Sequence, residues 1–186
     1  MSAALLVMDM QRSIVARLGD DAVVQRAGAA IAAARAAGVP VIYVRVAFRP
    51  GFPEVSTRNK TFGALRDSDM LGDDDAIAIH PALAPQPGEV VVDKRRVSAF
   101  AGSDLDVVLR AADVDELVLC GISTSGVVLS TLRAAADLDY RLTVLRDACA
   151  DGDPEVHRVL LEKVFPRQAD VVDVAAWAAR ASSPAD

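Results

Sequence analysis

Five short runs of apolar, largely β-branched residues punctuate the chain, at positions 5–8, 39–46, 89–92, 117–120 and 142–145, with a weaker sixth at 169–172. Each is apolar at consecutive positions rather than at alternate ones. Both faces of every such strand must then be covered, which is the condition of a parallel sheet held between helices. Stretches with helical spacing separate the runs, so the pattern predicts an α/β chain of the doubly wound, Rossmann-like type.

Punctuation within the intervening stretches supports helices there. Asp20 or Asp21 opens an Ala-rich helix that Gly38 and Pro40 close. Ser103 and Asp104 start another through Leu109 to Ala112. Asp153 followed by Pro154 and Glu155 is a strong helix start, because proline lacks the amide that a first turn leaves unbonded anyway. Residues 47–87 form a connection too long for a simple loop, with Pro50, Gly51, Pro53 and the acidic run of Asp73, Asp74 and Asp75. A site-covering insertion with short helices is expected there, its acidic run a solvated turn rather than a cation site.

Composition bounds the function. Hydrophobic residues make up 52% of the 186 positions and aromatics 4%, so the core is built from Ala, Val, Leu and Ile, and disorder is excluded. One domain is expected over residues 1–181, with 182–186 as a frayed tail, and no internal repeat is visible. A net charge of −6 leaves no broad basic face, which disfavours nucleic acid and anionic membranes as partners. No apolar run approaches the roughly 20 residues of a membrane span. The first nine residues lack a basic leader and read as a strand. Cys120 and Cys149 lie in apolar segments, as buried thiols of a reducing compartment would, and a cytoplasmic protein is expected.

In an open parallel sheet, ligands gather beyond the carboxyl ends of the strands. Asp9 leaves the first strand at that edge and Lys94 the third. The fourth runs into a small-residue turn, Gly121, Ile122, Ser123, Thr124, Ser125, Gly126, Val127 and Val128, ahead of a helix. An acid, a base and a turn exposing helix-start amides would then converge. Each also has a plainer role. Asp9 suits a cap, Lys94 sits beside Arg95 and Arg96 as in a solvated basic cluster, and Ser123 to Ser125 are what any helix start favours. Gly121 and Gly126 have phosphate-loop spacing, but Val127 and Val128 stand where Lys and Ser or Thr are required. No glycine-rich fingerprint follows the first strand, and His80 and His157 have no metal-ligand spacing.

Taken in order, Asp9 in LLVMDMQ, Lys94 in KRRVSAF and the Gly121-to-Thr124 turn resemble the isochorismatase-like hydrolase superfamily over nearly the whole chain. The resemblance implies a six-stranded parallel sheet of order 3-2-1-4-5-6 with helices on both faces, and a cis peptide bond between Ile122 and Ser123. It implies Asp9 and Lys94 as catalytic acid and base. Gln11, Ser123, Thr124, Ser125, Gly126 and Val127 would contact substrate or form an oxyanion hole. It places the cysteine nucleophile of the amidase members at position 127, which is valine here, and the Asp-x-His metal motif of nicotinamidases is absent after the second strand. No metal or cofactor is therefore expected. The isochorismatases of the superfamily work without that cysteine, an Asp protonating a vinyl ether before water adds. The expectation is a metal-independent hydrolase acting on a vinyl ether or C–N bond of a small metabolite. The alternative is a silent member that binds a ligand or partner through the inherited pocket. A homo-oligomer, dimer or tetramer, is implied as well.

Overall fold

The computed structural model describes residues 2–66 and 74–181. The expected tail at 182–186 and Asp73 of the acidic run lie outside the described residues. Six strands form one parallel sheet of order 3-2-1-4-5-6. They are β1 (Ala3–Met8), β2 (Val41–Val46), β3 (Val90–Lys94), β4 (Glu116–Ile122), β5 (Arg141–Ala150) and β6 (Asp170–Val172). Helices α1 (Arg12–Leu18) and α2 (Asp21–Ala36) follow β1, and α3 (Lys60–Arg66) and α4 (Asp74–Ile77) lie in the long insertion. The remainder are α5 (Leu105–Ala111), α6 (Leu129–Asp137), α7 (Pro154–Val159) and α8 (Val174–Ala181).

The continuous apolar runs are explained by position. Leu5, Leu6, Val7 and Met8 of the central β1 have no solvent exposure, and neither do Leu117 to Cys120 of β4. Caps fall where the polar residues foretold. The Asp20 carboxylate accepts from the Ala22 amide, and Asp153 accepts from Glu155 and Val156. Gly38 adopts a left-handed conformation two residues past α2.

β5 departs from expectation. It runs on to Ala150 through a register shift, so that Leu119 pairs with Val144 while Gly121 pairs with Cys149. Cys149 therefore belongs to the strand instead of following it. The interruption frees the Asp147 carboxylate to accept from the Val174 amide at the start of α8.

At that edge β1 and β4 approach closely. Gly121 has φ +150°, and a Cβ there would lie 2.2 Å from the Met8 carbonyl oxygen. Only glycine fits. Gly121→Ala is accordingly expected to cost about 3 kcal/mol or more, since the obstacle is backbone and cannot rotate away. Urea unfolding measures this, and a loss under about 0.5 kcal/mol would show that the strands separate freely.

Candidate active site

Asp9 is the first residue beyond β1. It takes a left-handed φ of 54°, which Asp tolerates better than most residues, and its amide donates to the Val44 carbonyl at 2.8 Å. Lys94 ends β3 in register with Val46 of β2. Strand alternation turns Asp93 outward to pair with Arg45 and Lys94 inward. The lysine stem then crosses the end of β2, and its Nζ meets Asp9 Oδ2 at 3.0 Å, with side chains 2% and 9% exposed. Nζ also donates to the Arg96 carbonyl at 3.0 Å. The neighbouring cations form no solvated face. Arg95 pairs with Glu54, and Arg96 donates to the Glu54 and Arg95 carbonyls, tying the insertion to the end of β3.

Asp9 Oδ1 is buried and has no hydrogen-bond partner among the described residues. Burial pushes the Asp9 carboxyl above its ordinary value, and the attraction of Lys94 opposes that without overcoming it. The contest between desolvation and a neighbouring cation thus goes to desolvation.

Beyond β4, the cis Ile122–Ser123 bond leads into a wide turn, Thr124–Val128, that feeds α6. The Ser123 hydroxyl accepts from the Gly126 amide at 3.1 Å, and Asp151 Oδ2 accepts from the Ser125 amide at 2.7 Å. Thr124 is fully buried, its Oγ1 2.8 Å from His157 Nδ1 of α7.

Asp9, Lys94, Ser123, Gly126 and Val127 share the wall of one hollow of about 430 Å³. Phe62 and Leu65 of α3 also line it, as do Arg17, Asp151 and Gly152. Three expected contact residues are absent from that wall. The amide of Gln11 is consumed by Val46 and Ile77, accepting from the Val46 amide and donating to both carbonyls. Thr124 turns its hydroxyl away to His157, and the Ser125 amide is taken by Asp151. They shape the site from behind. Asp151 escaped the sequence reading although it leaves β5 at the same carboxyl edge as Asp9 and Lys94. No local signal marked Phe62, whose place depends on how the insertion folds.

Neither cysteine of the chain reaches the hollow. Both are buried, which pushes the Cys149 thiol up to about 12 and the Cys120 thiol well above its ordinary value. Among the described residues no group of three or more His, Cys, Asp or Glu side chains is gathered to hold a metal ion. Among them, too, no helix is long and apolar enough to cross a membrane.

Known proteins match this arrangement along nearly its full length. The isochorismatase domain family matches residues 3–176. An uncharacterized isochorismatase family protein, YecD, of Escherichia coli O157:H7 is 35% identical over 93% of both chains. The ureidoacrylate amidohydrolase RutB of Methylobacterium radiotolerans is 33% identical over 93% of this chain and 77% of its own. An isochorismatase family protein from Burkholderia thailandensis superimposes with a TM-score of 0.86 at 31% identity, covering 98% of this chain and 96% of that one.

The pair's electrostatics are open to measurement. A carboxyl raised above its unfolded value contributes stability that is full below that value and is lost as pH rises through the folded one. Lys94→Met removes the opposing cation and should push Asp9 higher still. Relative to wild type, the variant is expected to lose further stability as pH rises above the folded wild-type Asp9 value, by about 1.4 kcal/mol per tenfold change in the acid's ionisation constant. Urea unfolding at a series of pH values reads this, and an offset independent of pH would show that the two groups are uncoupled.

Proposed function

The chain belongs to the isochorismatase family, and from that premise we propose a metal-independent hydrolase of a small metabolite in which Asp9 is the proton donor. Val127 stands where cysteine hydrolases of the superfamily carry their nucleophile. The observation that carries the reading is the Asp9 carboxyl. One oxygen lies against Lys94 Nζ, the other is buried without a partner among the described residues, and burial favours the protonated form.

A carboxyl kept neutral by its surroundings is an acid, and the bond it can break is one activated by protonation. Vinyl ethers meet that requirement. Asp9 gives its proton to the terminal carbon, and the ether carbon becomes an oxocarbenium ion. Water adds there, and the hemiketal collapses to a carbonyl compound and an alcohol. The proton released by the water restores the carboxyl. Lys94, already in contact with Oδ2, stabilises the carboxylate that exists between those steps. Of the helix-start amides, Ser125 is held by Asp151 and Gly126 by Ser123, which leaves Lys94 as the cation already in contact with the carboxyl.

Hydrolysis of a C–N bond is the second reading, favoured by the likeness to ureidoacrylate amidohydrolases. Since neither cysteine reaches the hollow, it requires Asp9 to act on water as a base, which the burial of that carboxyl opposes. The deciding experiment is a panel of vinyl ethers, amides and carbamoyl compounds offered to wild type and to Asp9→Asn. The amide keeps an oxygen for Lys94, so the variant should remain folded by circular dichroism while turnover falls by about 10²–10⁴. Unchanged turnover removes the role. Thermal shifts with no product across the panel would identify a silent binder instead.

The two readings also differ in pH dependence. A proton donor works only while protonated, so kcat on a vinyl ether is expected to fall as pH rises through the folded Asp9 value. A rate that climbs over the same range would point to the base mechanism.

A further inference from the structure

The turn that floors the hollow is held by two side chains from outside it. His157 Nδ1 lies 2.8 Å from Thr124 Oγ1, and Asp151 grips the next amide, that of Ser125, at 2.7 Å. We propose that His157 is a positioning residue for this site: it accepts the Thr124 hydroxyl proton, and when it is itself protonated it loosens the turn at positions 123–127. The inference rests on the reading of the hollow as the active site.

The argument is one of donors and acceptors. Thr124 is fully buried, and among the described residues its hydroxyl has no other side-chain partner. In the neutral imidazole, Nδ1 is the acceptor for that O–H and Nε2 carries the ring proton. Protonation puts a second donor at Nδ1. The hydroxyl must then accept, and its own hydrogen is left facing a dry interior.

Charge acts in the same direction. Asp151 is the anion that draws on His157, yet its carboxylate is already committed, Oδ2 to Ser125 and Oδ1 to the Asp153 amide at 3.3 Å. A cationic ring competes for it, so both struts weaken together. The other charged groups near the ring are two ion pairs and two acids of the α7 start. Arg158 pairs with Glu162, Arg146 of β5 with Asp173, and Asp153 caps α7, with Glu155 in its first turn. Partial burial of the ring lowers its pKa, which keeps the strut intact at neutral pH.

The test needs no substrate. In ¹⁵N-labelled full-length protein, the amide resonances of Gly126 and Val127 are followed across about pH 5 to 8, the range in which histidine titrates. They are expected to move with the midpoint of the His157 ring. In His157→Asn, whose side-chain oxygen stands near the place of Nδ1 and does not titrate, the movement should vanish. In Thr124→Val it should shrink to what the ring's pull on Asp151 alone transmits. Amides that stay still in wild type, or that titrate equally in His157→Asn, overturn the proposal.

Turnover gives an independent reading. With a compound the enzyme hydrolyses, His157→Ala should lower kcat about tenfold or more with KM nearly unchanged, and His157→Asn should restore it. An alanine variant that matches wild type overturns the role. If it does not fold, His157→Asn and Thr124→Val still decide through the amides. Should Asp9→Asn leave turnover untouched while the amides follow His157, the catalytic reading falls and the coupling stands.

Discussion

A lysine and an aspartate buried against each other at the end of a sheet constrain much of this fold. Such a pair is expensive to desolvate and stabilises nothing unless its geometry is held from all sides. Here three strands hold it. Asp9 follows β1, Lys94 ends β3, and β2 lies between them, so the 3.0 Å contact exists only while all three ends stay aligned. Gln11 supplies that alignment from behind. Its three hydrogen bonds join the segment after β1 to the end of β2 and to the insertion at Ile77.

The insertion sets the dielectric in which the pair sits. Val46, Val55 and Phe62 form a hydrophobic cluster of their own, separate from the main core, against which Phe48, Phe52, Leu65 and Val97 pack. Phe48 lies between Phe52 and Phe62, with ring centroids 5.8 and 5.6 Å away. Several of these side chains are also the wall of the hollow. Packing and chemistry are therefore one arrangement: the apolar cluster that stabilises the insertion also excludes the water that would keep Asp9 ionised. The salt bridge of Arg12 with Asp75 fastens α1 to the same insertion.

Much of this was legible in the chain. Runs apolar at consecutive positions required a sheet covered on both faces, and the parallel strands at β1 and β4 are buried as that pattern demands. Asp20 and Asp153 sit at the helix starts their types favour. Asp9 and Lys94 were located by one topological rule, that ligands collect at carboxyl strand ends. The same rule covered Asp151, but an acid within Asp-Gly-Asp-Pro reads first as turn and cap chemistry. Gln11, Thr124 and Ser125 lie close in sequence to residues that line the hollow. Proximity along the chain does not say which way a side chain faces, and all three turn to backbone or histidine partners behind the wall.

The sequence by itself determined the order of elements, the sheet architecture, an aspartate and a lysine at its edge, and a valine where the resemblance implied a thiol. Those follow from local periodicity and from residue identity, which a single chain displays openly. Only the tertiary structure decided whether burial or Lys94 governs the Asp9 proton, which small polar residues reach the hollow, and that His157 reaches back to Thr124 across 33 positions. Each of these depends on distances between segments remote in sequence and on how much water lies between them, and no pattern of neighbouring letters encodes either quantity.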